Sequence, residues 1–298
     1  MGRAFRRRPM RRRTLLAVLA ITIGCSSPAE QPAPAPRLAK PQRIASLSLG
    51  TDEILCALVS PERIVGMSRH SDNPEVSHVA DISRRVGVKL DRDPERIVAL
   101  EPDLVLAARY SKIELRELVN QTGAAVVVST AFVSFGDIQG NIANIGRAVG
   151  EPQRAAAMIA EMDLRLADAA GRPESLRKGW RLLYYAPAGW TAGDQTTVDE
   201  VIRAAGYRNA AAAAGISGHQ KITAEKVLEI DPDALLVGIG YARDAGFREQ
   251  LEADPQLATL TALHKGRIAE LPAKRLLSVS QHLAEAVPAL VDAVEALP

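Results

Sequence analysis

The sequence predicts an α/β fold of two lobes, each a parallel sheet flanked by helices, joined by one long α-helix. Three observations carry this. A helix-strand unit is written twice, as Glu95-Arg96-Ile97-Val98-Ala99-Leu100-Glu101-Pro102-Asp103-Leu104-Val105-Leu106-Ala107 and as Glu225-Lys226-Val227-Leu228-Glu229-Ile230-Asp231-Pro232-Asp233-Ala234-Leu235-Leu236-Val237. From about residue 42 onward, apolar strand-like runs alternate with amphipathic helical stretches, the pattern of a parallel sheet with helices on both faces. Between the two copies, Glu151 to Ala170 carries Ala155, Met158, Ile159, Met162, Leu166 and Ala169 at helical spacing. At 1.5 Å per residue that stretch reaches about 30 Å, enough to bridge two lobes. A length of 298 residues agrees with two domains.

Taken in order, Arg43 to Leu47 is a first strand, Ser48-Leu49-Gly50-Thr51 turns into a helix over Asp52 to Val59, and Ile64 to Met67 is a second strand after Pro61. Ser68 to Asp93 has the composition of a polar loop. In the first copy of the unit Asp93 is the N-cap, Pro94 the first helical residue and Glu95 the second; in the other, Thr223, Ala224 and Glu225 take those places. Pro102 and Pro232 push the residue before them out of the helical region and end each helix. The apolar runs that follow, Leu104 to Ala107 and Leu235 to Val237, suit inner strands of a parallel sheet. A helix over Ser111 to Gln121 leads to the strand Ala125 to Val128, and Asp137 to Val149 is helical. Past the bridging helix, which Gly171-Arg172-Pro173 ends, come the strand Arg181 to Tyr185 and the helix Thr197 to Ala205. Phe247 to Glu252 opens a further helix, Arg267 to Glu270 is a last strand, and Ser280 to Ala296 is a closing helix.

Residues 1–24 hold seven arginines and no acid, followed by the short apolar run Leu15 to Ile23. That run is well below the roughly 20 residues of a membrane span and has the form of an export signal. Gly24-Cys25-Ser26-Ser27 resembles a lipoprotein cleavage site that makes Cys25 the acylated first residue of the mature chain; cleavage without lipidation is the alternative. Arg12-Arg13-Thr14-Leu15-Leu16 also resembles a twin-arginine signal. Without the leader, 37 basic residues become 30 against 35 acidic ones, a net charge of −5. The apparent basicity therefore belongs to the leader, and nothing in the mature chain points to nucleic acid. Residues 25–41, rich in proline, alanine and serine, form a tether. The second cysteine, Cys56, sits in the apolar stretch Ile54 to Val59 and is expected as a small buried hydrophobe.

Four short motifs, in order, carry a resemblance: Arg43-Ile-Ala-Ser-Leu-Ser with Thr51-Asp-Glu-Ile-Leu, Val65-Gly-Met-Ser with Asp72-Asn-Pro, the run from Glu95 to Val105, and Thr223-Ala-Glu-Lys-Val-Leu. In this order behind a lipoprotein-like leader, the chain resembles the periplasmic substrate-binding proteins of ABC importers for cobalamin, ferric siderophores and haem, from about Gln42 to the C-terminus. The resemblance implies two Rossmann-like lobes, 42–150 and 172–298, a rigid bridging helix at 151–171, and ligand held in the cleft. It also implies that one glutamate on each lobe docks onto arginines of the permease dimer, and the matching positions are Glu95 and Glu225. Exposed carboxylates facing guanidinium groups fix orientation and speed encounter. The plainer reading of an acid in a helix's first turn is that it complements the helix dipole.

Ligands of open α/β sheets lie beyond the carboxyl ends of the strands. The loops expected there contain Ser48, Gly50, Thr51, Arg69, His70, Arg109, Tyr110, Trp190, Thr191, Tyr241, Arg243, Lys274 and Arg275. Four arginines in that set suit the carboxylates of a ferric siderophore or the propionates of haem. His70 is a candidate axial ligand to haem iron or a polar wall. Where the family's cobalamin binders have aromatics, this chain has Ser71-Asp72-Asn73-Pro74 and Arg84-Arg85. Bare Zn²⁺ or Mn²⁺ is an alternative ligand, but of five histidines only His70 and His219 fall near the expected cleft, with His78, His264 and His282 scattered. An exported hydrolase is a further alternative. The chain has no G-x-S-x-G, H-E-x-x-H or Walker A motif, and Ser48 or Ser71 near His70 lacks a carboxylate to orient it. The expected protein is a monomeric binding module without cofactor or catalytic residues, working with a permease and its ATPase and touching the membrane through its lipid anchor alone.

Overall fold

The structure, a computed structural model, describes residues 40–91, 94–109, 123–171, 179–240 and 245–298. The leader, Cys25, most of the tether, Asp93, Tyr110, the helix expected over 111–121, Tyr241 and Arg243 lie outside the described residues.

In the first lobe the elements are β1 (Ile44–Ser46), α1 (Leu49–Leu58), β2 (Ile64–Ser68), α2 (Ala80–Val86), β3 (Lys89–Leu90), α3 (Pro94–Val98), β4 (Leu104–Ala108), β5 (Ala125–Ser129) and α4 (Phe135–Ala148). The bridge α5 (Pro152–Ala170) follows. The second lobe contains β6 (Arg181–Tyr184), β7 (Trp190–Ala192), α6 (Thr197–Ala204), β8 (Arg208–Asn209), α7 (Ala210–Ala213), β9 (His219–Lys221), α8 (Ala224–Ile230) and β10 (Ala234–Ile239). It closes with α9 (Phe247–Ala253), α10 (Thr261–His264), β11 (Ile268–Pro272), α11 (Ala273–Leu276), a 3-10 turn (Gln281–Glu285) and α12 (Ala286–Glu295).

The first sheet is parallel with order β3-β2-β1-β4-β5, a Rossmann-type winding whose direction reverses between β1 and β4. The second is parallel with order β11-β10-β6-β8, and its reversal falls between β6 and β10. The doubled unit therefore supplies the inner strand at both reversals, in the same register: Leu104 lies beside Ile44, and Ala234 beside Leu182.

Hydrogen bonds explain why the unit repeats. Glu101 and Asp231, each before a proline, adopt left-handed φ of 44° and 40° and turn the chain out of the helix. The carbonyls so released find arginines: Arg43 donates to Glu101 at 2.9 Å and Leu100 at 2.5 Å, and Arg181 donates to Ile230 at 2.9 Å and to Asp231. Asp103 accepts from the backbone N–H of Arg43 at 3.1 Å, and Asp233 from that of Arg181 at 2.8 Å. Each copy thus pins a helix end, a strand start and the neighbouring strand with one arginine and one aspartate.

Strand alternation divides the core. Ile44, Leu104, Leu106, Leu182 and Leu236 face one apolar core that runs through both lobes and includes α4, α5 and α12. Ala45 and Val105, with Ile97 of α3, line the opposite face of the first sheet; Leu183, Leu235 and Val237, with Val227 of α8, line that of the second. Both repeat helices consequently sit on faces turned away from the shared core. Within α5, Ala155, Met162 and Ala169 are the buried positions, seven apart, while Met158, Ile159 and Leu166 pack at the margin. Nineteen helical residues span about 28 Å.

Three expectations need correction. Residues 68–93 are not all loop, since α2 and β3 form within them. The closing helix is split, because an unbroken helix over 280–296 would put Pro288 in its interior; starting α12 at Ala286 places that proline in the first turn, where its missing N–H costs nothing. Trp190 and Thr191 lie not in a loop but on β7, which pairs antiparallel with β9.

Gly50 marks a close approach of the α1 backbone to the C-terminal segment. A Cβ there would stand 2.6 Å from Val279 Cγ2 and 3.1 Å from the Val279 carbonyl oxygen. Gly50→Ala is expected to lose about 1–3 kcal/mol in urea denaturation, less the small gain in helix propensity.

Candidate functional site

At the carboxyl end of β1 the chain turns directly into α1, and the side chains there are consumed in making that turn. Ser48 caps α1, accepting from the Thr51 N–H at 3.4 Å, and its hydroxyl meets Thr51 Oγ1 at 2.9 Å; Ser46 Oγ lies 2.8 Å from the same Thr51 oxygen. Asp52 is fully buried beneath them, accepting from the Ser68 N–H at 3.2 Å and from the Ser68 hydroxyl. Burial pushes its carboxyl up to about 7, against the opposing pull of the Ser68 and Ser46 bonds. Ser71 is buried as well, donating to the Ser68 carbonyl at 2.6 Å and lying 2.5 Å from Ser83 Oγ.

Part of the expected ligand surface is turned inward. Ser48, Thr51 and Thr191 are buried, with their hydroxyls committed internally, that of Thr191 to the Tyr184 carbonyl at 2.6 Å. Neither Ser48 nor Ser71 offers a nucleophile to His70, whose Nε2 instead accepts from Arg69 Nε at 2.8 Å on the exposed surface. Arg69 also lies 3.7 Å from Asp91. Arg109 is exposed at the end of β4, its backbone N–H donating to the Ser129 carbonyl at 2.8 Å. Trp190 is 43% exposed with Lys221 Nζ 5.6 Å above its ring. Arg275 pairs with Glu285 at 3.3 Å. Cys56 is half-buried, and burial with the charges of Asp52 and Glu53 pushes its thiol up to about 12, which keeps it inert.

A cavity of about 500 Å³ opens at the carboxyl ends of the second lobe's strands, with Glu75 of the first lobe at its edge. Glu75 lines it from the loop after β2; Ile239 and Gly240 at the carboxyl end of β10, Phe247, Arg248 and Glu249 at the start of α9, and Glu270 of β11 line it from the second lobe. Arg248 is held by Glu252 at 3.0 Å and stands 3.7 Å from Glu270. Among the described residues, then, three carboxylates and one already paired guanidinium face this space. Of the expected ligand residues that are described, none lines it; Gly50 borders a smaller recess of about 80 Å³ with Glu53, Val76, Lys274 and Val279.

Across the seam, Glu53 of α1 reaches the C-terminal segment. Its carboxylate accepts from Ser280 Oγ at 2.5 Å and from the His78 N–H at 3.0 Å, and its carbonyl accepts from Gln281 Nε2 at 3.1 Å. Burial raises its carboxyl above the ordinary range, the Ser280 bond opposing. His78 and His282, expected to be scattered, are instead stacked with centroids 3.9 Å apart and planes 10° from parallel. His282 Nδ1 is 2.8 Å from Glu285 Oε1. The two histidines and Glu285 offer ligand atoms within 4.8 Å of one another. Rings lying face to face nevertheless direct their in-plane lone pairs side by side rather than at one point, and Arg165 and Arg275 already flank Glu285. The trio is not arranged for a metal ion.

Glu95 and Glu225 are both exposed, each the second residue of its repeat helix. The Thr223 hydroxyl and the backbone of its own helix hold the Glu225 carboxyl below its usual value.

No local signal marks Glu53, Glu75, His78, Glu270 or His282 in the sequence as cleft or seam residues. The only hint was Thr51-Asp-Glu, two acids in an otherwise apolar helix.

A family model described as periplasmic binding protein matches residues 44–275. The chain is 30% identical over 209 residues to a cobalamin-binding protein of Halobacterium salinarum (strain ATCC 29341 / DSM 671 / R1), over 68% of this chain and 56% of that protein. It thus spans little more than half the length of that relative. It is 26% identical over 239 residues to the Fe(3+) dicitrate-binding periplasmic protein FecB of Escherichia coli (strain K12), over 78% of this chain and 77% of that one. Among solved structures it is similar to the periplasmic heme-binding protein RhuT from Roseiflexus sp. RS-1 in apo form, with a TM-score of 0.70 and 27% identity over 85% of this chain and 99% of that one.

Proposed function

We propose, from the premise that the chain belongs to the periplasmic binding protein family, that it captures a small metal chelate between its lobes and hands it to the permease of an ABC importer. The observation that carries this is the cavity of about 500 Å³ at the carboxyl ends of the parallel strands β10 and β11, walled by the second lobe and reached by Glu75 of the first. The reading entails reversible binding without turnover. It places the protein at the cell envelope on the periplasmic side, held there by Cys25 if that residue is acylated.

The lining favours one chelate class. Glu75, Glu249 and Glu270 oppose a polyanion such as ferric dicitrate, and Arg248 is already paired. An amide-rich corrinoid without net negative charge suits these acceptors, and the likeness to a protein named for cobalamin supports the same choice. Haem is the second reading, supported by the likeness to a heme-binding protein and by the exposed Arg69 and His70. Quenching of Trp180 and Trp190 fluorescence on titration with cyanocobalamin, haemin and ferric dicitrate tests both. Cobalamin is expected to bind with Kd below about 10 μM and at least about tenfold tighter than ferric dicitrate. A chain that binds none of the three overturns chelate capture; one that binds haemin best favours the second reading.

A further inference from the structure

We propose that the stacked imidazoles of His78 and His282 form a proton-operated latch on the seam between the lobes, closed while at most one ring is charged and forced apart when both are. This goes beyond chelate capture and does not depend on which chelate is bound.

The two rings come from segments 204 residues apart, one after β2 in the first lobe and one in the 3-10 turn before α12. Each is fixed by its surroundings. The His78 backbone is held by Glu53 at 3.0 Å, and its Nε2 lies 3.2 Å from the Lys274 carbonyl, an acceptor, so Nε2 carries a proton. His282 donates from Nδ1 to Glu285, 2.8 Å away, and Glu285 also faces Arg275 at 3.3 Å and Arg165 of α5 at 3.9 Å. The charged groups around the stack are therefore Glu53 from α1, Arg165 from α5, Lys274 and Arg275 from α11, and Glu285 beside α12. A second proton in the stack has no carboxylate of its own to meet: Glu285 is engaged by His282 and two guanidiniums, and the Glu53 carboxylate is taken up by the His78 backbone N–H and Ser280.

The direction of the response follows. Burial first, then the facing His282 and Lys274, push the His78 imidazole down to about 4, below its ordinary 6.5. The neutral ring belongs to the closed fold. Its contribution is complete above pH 6.5 and is lost as pH falls from there toward 4, because the unfolded or opened chain takes up the proton more readily. Charging His78 then sets two cations face to face at the contact where the first lobe meets the C-terminal segment.

Three readouts on the purified protein test the latch. In an NMR titration His78 is expected to titrate below about pH 5, and His282→Phe, which keeps an aromatic face but removes the opposing charge, raises that midpoint. A merely buried histidine would be unmoved. Relative to His78→Phe, the wild-type unfolding constant is expected to rise about 10- to 50-fold between pH 7 and 4.5. Spin labels at the exposed positions Arg85 and Glu252, one in each lobe, should separate as His78 titrates and stay fixed in the His78→Phe background. A His78 midpoint near 6.5, parallel stability profiles, or a label distance indifferent to pH overturns the latch. So does a Zn²⁺-dependent rise in melting temperature abolished by His282→Phe, which would assign the trio to a metal.

Discussion

Asp52→Asn is expected to gain up to about 4 kcal/mol on wild type as pH rises from 4 to 8. The aspartate is fully buried in α1, and its carboxyl is raised from 3.8 to about 7, with desolvation the largest cause and the neighbouring Glu53 charge adding to it. A raised carboxylate favours the native state where it is protonated. Its contribution is therefore complete below pH 3.8 and is lost as pH climbs through 7. Asparagine keeps an acceptor for the Ser68 N–H and supplies an N–H to a serine oxygen without ever carrying charge, so its profile lacks this loss. Urea denaturation of both proteins at several pH values measures the difference. Parallel profiles would mean that Asp52 holds one protonation state throughout. The His78 loss runs in the opposite direction over an overlapping range, so the difference between each variant and wild type, rather than the raw profile, is the informative quantity.

Charge reversal at the two repeat helices is expected to stop uptake while leaving the ligand in place. Glu95 and Glu225 are exposed, sit at equivalent positions of α3 and α8, and lie on helices that cover the sheet faces turned from the shared core. If they meet guanidinium groups of a permease dimer, Glu95→Lys or Glu225→Lys should each lower uptake into reconstituted vesicles at least about tenfold, and both together abolish it. Chelate affinity should stay within about twofold. A fall in affinity would place these glutamates in the pocket or the core. Unchanged uptake would leave them with the helix dipole alone.

What the sequence shows clearly is what local physics governs. The inner strands β4 and β10 are legible because a strand buried on both faces has to be apolar throughout, and each is preceded by a proline that stops a helix. The bridging helix is legible because its seam repeats every seven residues over nineteen. Even so, the repeat was only half visible: Arg43 and Arg181, which tie each copy to its neighbouring strand, lie 52 or more residues from the aspartates they serve.

The environment of the expected ligand residues was less legible. Ser48, Thr51 and Thr191 have the composition of binding loops, yet α1 and β7 begin so tightly that their hydroxyls satisfy the backbone and one another. Hydroxyls do either job equally well, and only packing decides which.

By itself, then, the sequence determined the α/β class, the doubled unit with its two acidic helix starts and the long helix between them, because periodicity, capping and proline act within a few residues. Tertiary structure alone decided that Glu75 and Glu270 line one cavity, that Glu53 reaches Ser280, and that His78 stacks on His282. Those meetings join segments about 200 residues apart, so the packing of the two lobes fixes their geometry rather than anything in the local chain.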